Sequence, residues 1–260
     1  MNRRSLIALC SALATLVGCE SGLTRDQQEF LWNGEDAYAR KQYATAITTL
    51  TEFLSMAPDR PEAAKAYYVR GLSYAQIAKR TEAFNDLRRV LEVPKADPDL
   101  MWRSYVTLGT LLYEDGEWDT AYNTLNAAAR RMPNMEPRDV VLFRMGVSLE
   151  RLGRWAEAKA AFEELTRTFP NSNQAVAARR RIDLDATHFA VQVGVFQEQR
   201  NAEIHAANLR KQNLSPYLRR ELRDNRPVFV VLLGKYGSYA EATRALGETR
   251  GKVRDAVIWP

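Results

Sequence analysis

The sequence predicts an α + α/β chain: an array of paired α-helices over residues 19–185, then a small two-layer sandwich of β-α-β-β-α-β order over 186–260. Three observations predict it. Glycines at 34, 71, 109 and 146 recur at spacings of 37, 38 and 37 residues, each followed by a similar series of small and apolar residues. From Thr187 that series stops and runs of alternating, β-branched residues take its place. Two of those runs, VQVGVF at 191–196 and VLLGKY at 231–236, share a glycine at the fourth position and an aromatic at the sixth.

The chain opens with MNRRSLIALCSALATLVGCE. Arg3 and Arg4 precede an apolar run of 12 residues, Leu6 to Val17, which suits a secretory leader and is too short to span a bilayer. Leu16-Val17-Gly18-Cys19 resembles the lipobox of bacterial lipoproteins; an ordinary secretory leader with a chance cysteine is the alternative. The resemblance implies a signal peptide at 1–18, cleavage before Cys19, diacylglycerol on its thiol and an acyl chain such as palmitate on the new amino terminus. Several acyl chains hold a protein stably where one does not. Glu20 follows the cysteine where an inner-membrane protein of that family has Asp, which implies the periplasmic face of the outer membrane. The chain has two cysteines, Cys10 in the leader and Cys19, so the 242-residue mature protein has no disulfide and must be held by packing.

Charge divides the chain. Residues 19–186 carry 23 Lys and Arg against 25 Asp and Glu, whereas 187–260 carry 12 against 7. The basic C-terminal quarter suits an anionic polymer, with solvated surface charge as the alternative.

In the first region four segments align: Gly34 with Tyr43, Ala46 and Pro58; Gly71 with Ala83, Leu87 and Val90; Gly109 with Trp118, Ala121, Leu125 and Pro133; Gly146 with Trp155, Ala158, Phe162 and Pro170. The glycine admits a second helix at close range. The alanine sits where the helices cross, and the large residue four further on fills the groove. Gly116 and Gly153 suit the turn between paired helices, and proline stops the second helix. The second segment is weaker, with Arg80 in place of an aromatic and no turn glycine. The pattern resembles the tetratricopeptide repeat, 34 residues long in its standard form. It predicts about four repeats stacked into a superhelix, with residues 174–183 as a capping helix of polar outer face. The segment from Arg154 to Ile182 is especially similar to lipoproteins of outer-membrane assembly and Tol-Pal-associated kinds. Such arrays bind a protein or peptide in a concave groove, or serve as spacers.

In the C-terminal region strands are predicted at 189–196, 216–222, 227–236 and 255–260, and helices at 201–213 and 238–252. Ile204, Ala207 and Leu209 are read as inward, and Ser238 with Glu241 forms a capping box. Val191-Gln192-Val193-Gly194-x-Phe196 and Phe229-x-Val231-x-Leu233-Gly234, each followed by an alanine-rich helix, resemble the SPOR domain of bacterial envelope proteins, a ferredoxin-like sandwich. The resemblance implies binding to peptidoglycan glycan strands stripped of stem peptides. It places glycan contacts at Gln192, at Phe229 or Val228, at Val230 and at Leu232. Two positions depart from the family: Val195 replaces a serine and Val230 an arginine.

Alternation gives an independent reading. Phe189, Val191, Val193 and Val195, with Phe229, Val231 and Leu233, form an all-apolar face for the two helices. The face of Gln192, Phe196, Val230, Leu232 and Tyr236 is then left open, with Arg219 and Arg220 as a basic rim. That face is read as a carbohydrate platform, or as one that packs on the repeats or on a second copy.

No enzyme is expected. His188 and His205 have no metal-ligand spacing, the binding strands carry no pair of carboxylates, and no phosphate loop or nucleophile elbow occurs. No cofactor is expected. An RNA recognition motif shares the strand order, but the basic-Gly-aromatic signature is missing before the third strand and the leader exports the chain, so no nucleic acid is expected. Two readings stand. One is a tether: lipid in the membrane, a protein partner on the repeats, glycan on the C-terminal domain, in cell division or envelope maintenance. The other is a scaffold of an outer-membrane or Tol-Pal-like complex whose C-terminal domain binds protein.

Overall fold

Helix hairpins come first in the computed structural model, which describes residues 22–223 and 226–260. The leader and Cys19 lie outside the described residues. Four pairs precede the sheet: α1 (Arg25–Ala39) with α2 (Tyr43–Met56), α3 (Ala63–Gln76) with α4 (Arg80–Glu92), α5 (Pro98–Glu114) with α6 (Trp118–Ala129), and α7 (Arg138–Arg151) with α8 (Trp155–Thr168). A further helix, α9 (Asn173–Leu184), follows where the capping helix is predicted. The N-termini of α1, α5 and α9 are capped by Thr24, Asp97 and Ser172, whose side chains accept from orphan backbone N–H groups. The second helix of each pair has no side-chain cap and starts from a tight turn instead.

All four turns place one residue at positive φ: Lys41 (61°), Ala78 (58°), Gly116 (78°) and Gly153 (74°). The second repeat therefore makes the same turn without glycine, at a strain of about 1–2 kcal/mol. Its missing aromatic is replaced by an ion pair to the next repeat, Arg80 to Asp115 at 2.7 Å and to Glu114 at 3.1 Å. In the other repeats an aromatic ring sits there. Tyr43 packs on Tyr38 at 5.8 Å and Trp118 on Tyr113 at 5.4 Å.

The predicted groove filling is seen in every repeat. A methyl group built on Gly34, Gly71 or Gly109 would meet Leu50, Leu87 or Leu125 at 2.5, 3.1 and 2.6 Å. On Gly146 it would stand within 2.8 Å of three ring atoms of Phe162. Gly146→Ala is expected to cost about 1–3 kcal/mol by overpacking. Gly71→Ala should cost far less, because the better helix propensity of alanine offsets about 0.5–1 kcal/mol. Urea unfolding of both variants checks this, and adding Phe162→Leu to Gly146→Ala should restore part of the loss.

The C-terminal domain runs β1 (Phe189–Phe196), α10 (Gln199–Lys211), β2 (Pro216–Arg223), β3 (Arg226–Tyr236), α11 (Tyr239–Arg250) and β4 (Val257–Trp259). The sheet order is β2-β3-β1-β4, with every neighbouring pair antiparallel. The two matched strands are thus the central pair, as their similarity implies. α10 and α11 lie on one face, burying Val191, Val193, Val231 and Leu233 against Ala202, Ala206, Leu209 and Leu246.

Several predicted orientations are corrected. The register of β1 shifts between Gln192 and Gly194, and that irregularity reverses the alternation beyond it. Val195 therefore leaves the helix-covered face, opposite Val230, and Phe196 joins the helices beside His205. His205 Nε2–H donates to the Val193 carbonyl oxygen at 3.1 Å, at the irregularity itself. Tyr236 also packs on the helix side, after Gly234 at φ 69°. On α10, Ile204 and Ala207 face solvent; the inward stripe is Ala202, Ala206 and Leu209, whose alanines let the helix approach the sheet closely. Ser238 accepts from Glu241 N as predicted, but Glu241 Oε2 takes its bond from Gly237 N at 3.1 Å rather than from the cap.

The largest correction concerns the second sheet face. Val230 and Leu232 are fully buried with Ala190, Val228 and Trp259, under Leu184, Ala186 and Tyr217. The end of α9 and the connection after it close over residues whose exposure to water would be unfavourable. The outer side of the capping helix is therefore partly an interface. Around it, Trp155, the repeat aromatic of α8, packs at a tilt on Phe189 with ring centres 4.7 Å apart, and Phe189 meets Tyr239 at 5.6 Å. The Arg151 guanidinium lies 3.8 Å from the centre of the Tyr239 ring, and burial lowers its pKa. Phe189 meets α11 of its own domain through Tyr239, as predicted, and joins the domain junction as well through Trp155.

Candidate functional site

What α9 leaves uncovered of that face is a cleft of about 1170 Å³. Its walls include Arg180 and Asp183 of α9, Gln192 of β1, Arg219 and Arg223 of β2, and Trp259 of β4. Strand geometry builds the β2 side. Alternation puts Tyr217, Arg219, Glu221 and Arg223 on one face, and pairing sets the first three opposite Leu232, Val230 and Val228.

Glu221 organises the polar groups. Its side chain is buried, and Oε1 accepts from the Trp259 indole N–H at 2.7 Å. Oε2 accepts from Arg223 Nη2 at 3.2 Å, and Arg219 Nε stands 3.7 Å from Oε1. The Arg219 guanidinium lies 4.7 Å from the centre of the Trp259 ring and donates to the Leu184 carbonyl oxygen of α9. Arg223 Nη2 also donates to Gln192 Oε1 at 3.0 Å. One buried carboxylate thus holds two guanidinium groups, and one of them orients the Gln192 carboxamide. Both cations stay partly in contact with water.

Of the residues expected on a glycan surface, Gln192 lines the cleft. Val230 and Leu232 lie beneath it, out of reach of a ligand. Phe229 lies half-buried on the opposite, helix-covered side. Arg219 and Arg220, read as a basic rim, both line the cleft. Glu221, Arg223 and Trp259 were not anticipated. The alternation of β2 could have revealed Glu221 and Arg223, whereas Arg180 and Asp183 reach the site only through the docking of α9.

His188 stands behind the same face, with its Nε2 3.0 Å from the Tyr217 hydroxyl and its ring 5.7 Å from that of Trp259. Burial first, then the charges of Lys235 and Arg219, hold its pKa below the ordinary value of 6.5. A depressed histidine pKa means that the unfolded chain takes up a proton the folded chain refuses. The stability it contributes is complete above 6.5 and is lost as pH falls toward the lower folded value. The melting temperature should therefore fall between about pH 7.5 and about pH 5.5, and fall less in His188→Gln.

Among the described residues, no cluster of three or more His, Cys, Asp or Glu side chains is arranged to hold a metal, and no helix is long and apolar enough to cross a membrane.

The fold is a helical-repeat array followed by a small α/β sandwich, and comparison with known families agrees. Residues 185–259 match the SPOR domain family, and residues 33–103 and 140–172 match tetratricopeptide repeat families. The chain therefore combines tetratricopeptide repeats with a C-terminal SPOR domain. No curated protein matches it. Among solved structures it is similar to MamA as the RS-1 ArsTM double mutant, with TM-score 0.53 and 13% identity over 63% of this chain and 85% of that one. A crystal structure of MamA protein aligns with TM-score 0.51 and 16% identity, over 62% of this chain and 80% of that one. YrrB, described as a TPR protein with an unusual peptide-binding site, aligns with TM-score 0.50 and 20% identity, over 60% and 74%. At these identities the likeness establishes the helical-repeat fold alone.

Proposed function

We propose that this protein is a lipid-anchored tether of the cell envelope. It binds peptidoglycan glycan strands stripped of stem peptides through its C-terminal domain and docks a protein or peptide on its repeats. In this reading residues 1–18 are removed and Cys19 carries lipid in the periplasmic face of the outer membrane. Residues 19–185 form the repeat domain and 186–260 the SPOR domain, and the protein acts in cell division or envelope maintenance. The observation that carries the reading is the cleft of a SPOR domain in which Gln192 is oriented by Arg223 beside Arg219. Gln192 is the proposed glycan contact, Val230 and Leu232 the packed floor under it, and Phe229 a buttress from the far side.

The test is co-sedimentation of the mature protein with purified sacculi, with and without amidase pretreatment. Amidase should increase pelleting, and Gln192→Ala should reduce it. Absence of pelleting from both preparations would overturn the reading. Membrane attachment is tested separately: Cys19→Ser should move the protein from the membrane fraction to the soluble fraction. A second reading, the scaffold whose C-terminal domain binds protein, is favoured by one observation. Val195 and Val230 replace polar residues that the family resemblance implies, and Val230 is fully buried.

A further inference from the structure

We infer that the end of α9 and the connection after it form an autoinhibitory cap on the C-terminal domain: docked as they are here, they occlude part of the sheet face, and their release opens that face to the glycan. This regulation rests on the peptidoglycan reading above. The occluded residues are Ala190, Val230, Leu232 and Trp259, all 3% exposed or less. They adjoin Gln192, which pairs with Leu232 on the same face. Leu184 of α9 lines the cleft, so a ligand that reaches Gln192 meets α9 before it meets them. A glycan strand is a polymer and needs a surface it can run across. A face covered at one end shortens that run.

The cap is lightly built. Its apolar cover comes from Leu184 of α9 and Ala186 of the connection, both only partly buried, with Tyr217 of β2 beside them. Its ion pair, Lys159–Asp185 at 2.9 Å, has side chains 47% and 69% exposed, and water screens such a pair. Two groups are held unfavourably while the cap is closed. Asp185 ends α9 in the left-handed region, at φ 45° and ψ 48°, where a residue with a Cβ is strained. Arg219 donates to the Leu184 carbonyl oxygen, yet its Nε–H is buried without a hydrogen bond among the described residues, 3.7 Å from Glu221 Oε1. Once α9 withdraws, Asp185 can relax and Arg219 can turn fully to Glu221. The strong contacts of the dock lie elsewhere. Trp155 packs on Phe189, and the Arg151 guanidinium on Tyr239, on the α11 side of the sheet. The junction therefore has a firm grip and a weak cap, and the cap is the part that lies over the binding face. A closed fraction that cannot bind lowers the apparent affinity in proportion, so weakening the cap raises it.

The experiment uses the mature chain, residues 19–260, in a Cys19→Ser background that removes its one cysteine. Lys159→Glu turns the ion pair into a repulsion. Lys159→Cys with Asp185→Cys lets the cap be closed by a reducible bismaleimide bridge. Two readouts are taken. One is the affinity for amidase-treated sacculi by co-sedimentation. The other is limited proteolysis between Asp185 and His188, which reports release of the cap without any glycan. Lys159→Glu should speed the cleavage and raise sacculus affinity about threefold, a gain that misfolding cannot imitate. The bridge should slow the cleavage and lower affinity by at least as much, and dithiothreitol should restore both. If cleavage responds as expected while affinity is the same in every form, the cap does not inhibit and the inference is overturned, with the glycan reading intact. If Lys159→Glu weakens binding and the bridge strengthens it, α9 is part of the binding site rather than its inhibitor, and the inference is again overturned. If cleavage is the same in every form, the cap is not a separate moving part and the inference falls. If no form pellets, the glycan reading fails and this inference with it.

Discussion

Gly153→Ala is expected to destabilise the protein by about 2–4 kcal/mol and to loosen the C-terminal domain from the repeats. Two costs combine. Gly153 turns the chain at φ 74°, where an L side chain is strained. Its new methyl would also stand 2.5 Å from the Gly237 carbonyl oxygen, which is backbone of the other domain and cannot rotate away. Gly116→Ala separates the two costs. Gly116 makes the equivalent turn at φ 78°, but its methyl would meet only the Trp118 ring, at 3.7 Å. That variant should lose about 1–2 kcal/mol, from the backbone alone. Chemical unfolding of both variants gives the difference, and limited proteolysis between Asp185 and His188 should accelerate only in Gly153→Ala. Equal losses in the two variants would mean that the Gly153–Gly237 contact does not hold the domains together.

Glu221→Ala should cost about 3 kcal/mol, from an indole N–H left buried without its acceptor and charge-assisted bonds lost to Arg223. The Arg219 and Arg223 guanidiniums would then repel each other across the cleft floor. Glu221→Gln should cost less, because the amide oxygen still accepts from Trp259. A double-mutant cycle with Trp259→Phe isolates the 2.7 Å bond, since phenylalanine keeps the packing and removes the donor. A coupling energy near zero would show that Glu221 is held by the arginines alone. Sacculus binding of Glu221→Gln adds a functional readout. Arg223 released from Glu221 no longer fixes the Gln192 carboxamide, so affinity should fall more than stability does.

Much of this was legible in the chain because it is local. The recurrence of Gly146 with Ala158 and Phe162, and of its three counterparts, encodes a close helix crossing, and a close crossing needs only neighbouring residues. The matched central strands were legible for the same reason. Phases failed where one residue changes them. The register shift at Gln192–Gly194 turned Val195 out and Phe196 in, and nothing in a period-two pattern marks such a shift in advance. Ile204 misled because it is apolar, although small Ala202 and Ala206 were the residues that fit against the sheet.

By itself the sequence determined the two architectures, their order, the helix crossings and the presence of Gln192 and a basic β2 on one small sheet. Each follows from side chains a few positions apart, where spacing alone decides which face a residue takes. Only the tertiary structure decided that the second sheet face is covered, that Trp155 and Phe189 join the domains, and that Arg180 and Asp183 share a cleft with Gln192 and Arg223. These depend on where the last repeat delivers α9. An apolar sheet face is buried by whichever surface reaches it, and the chain's local pattern does not say which surface that will be.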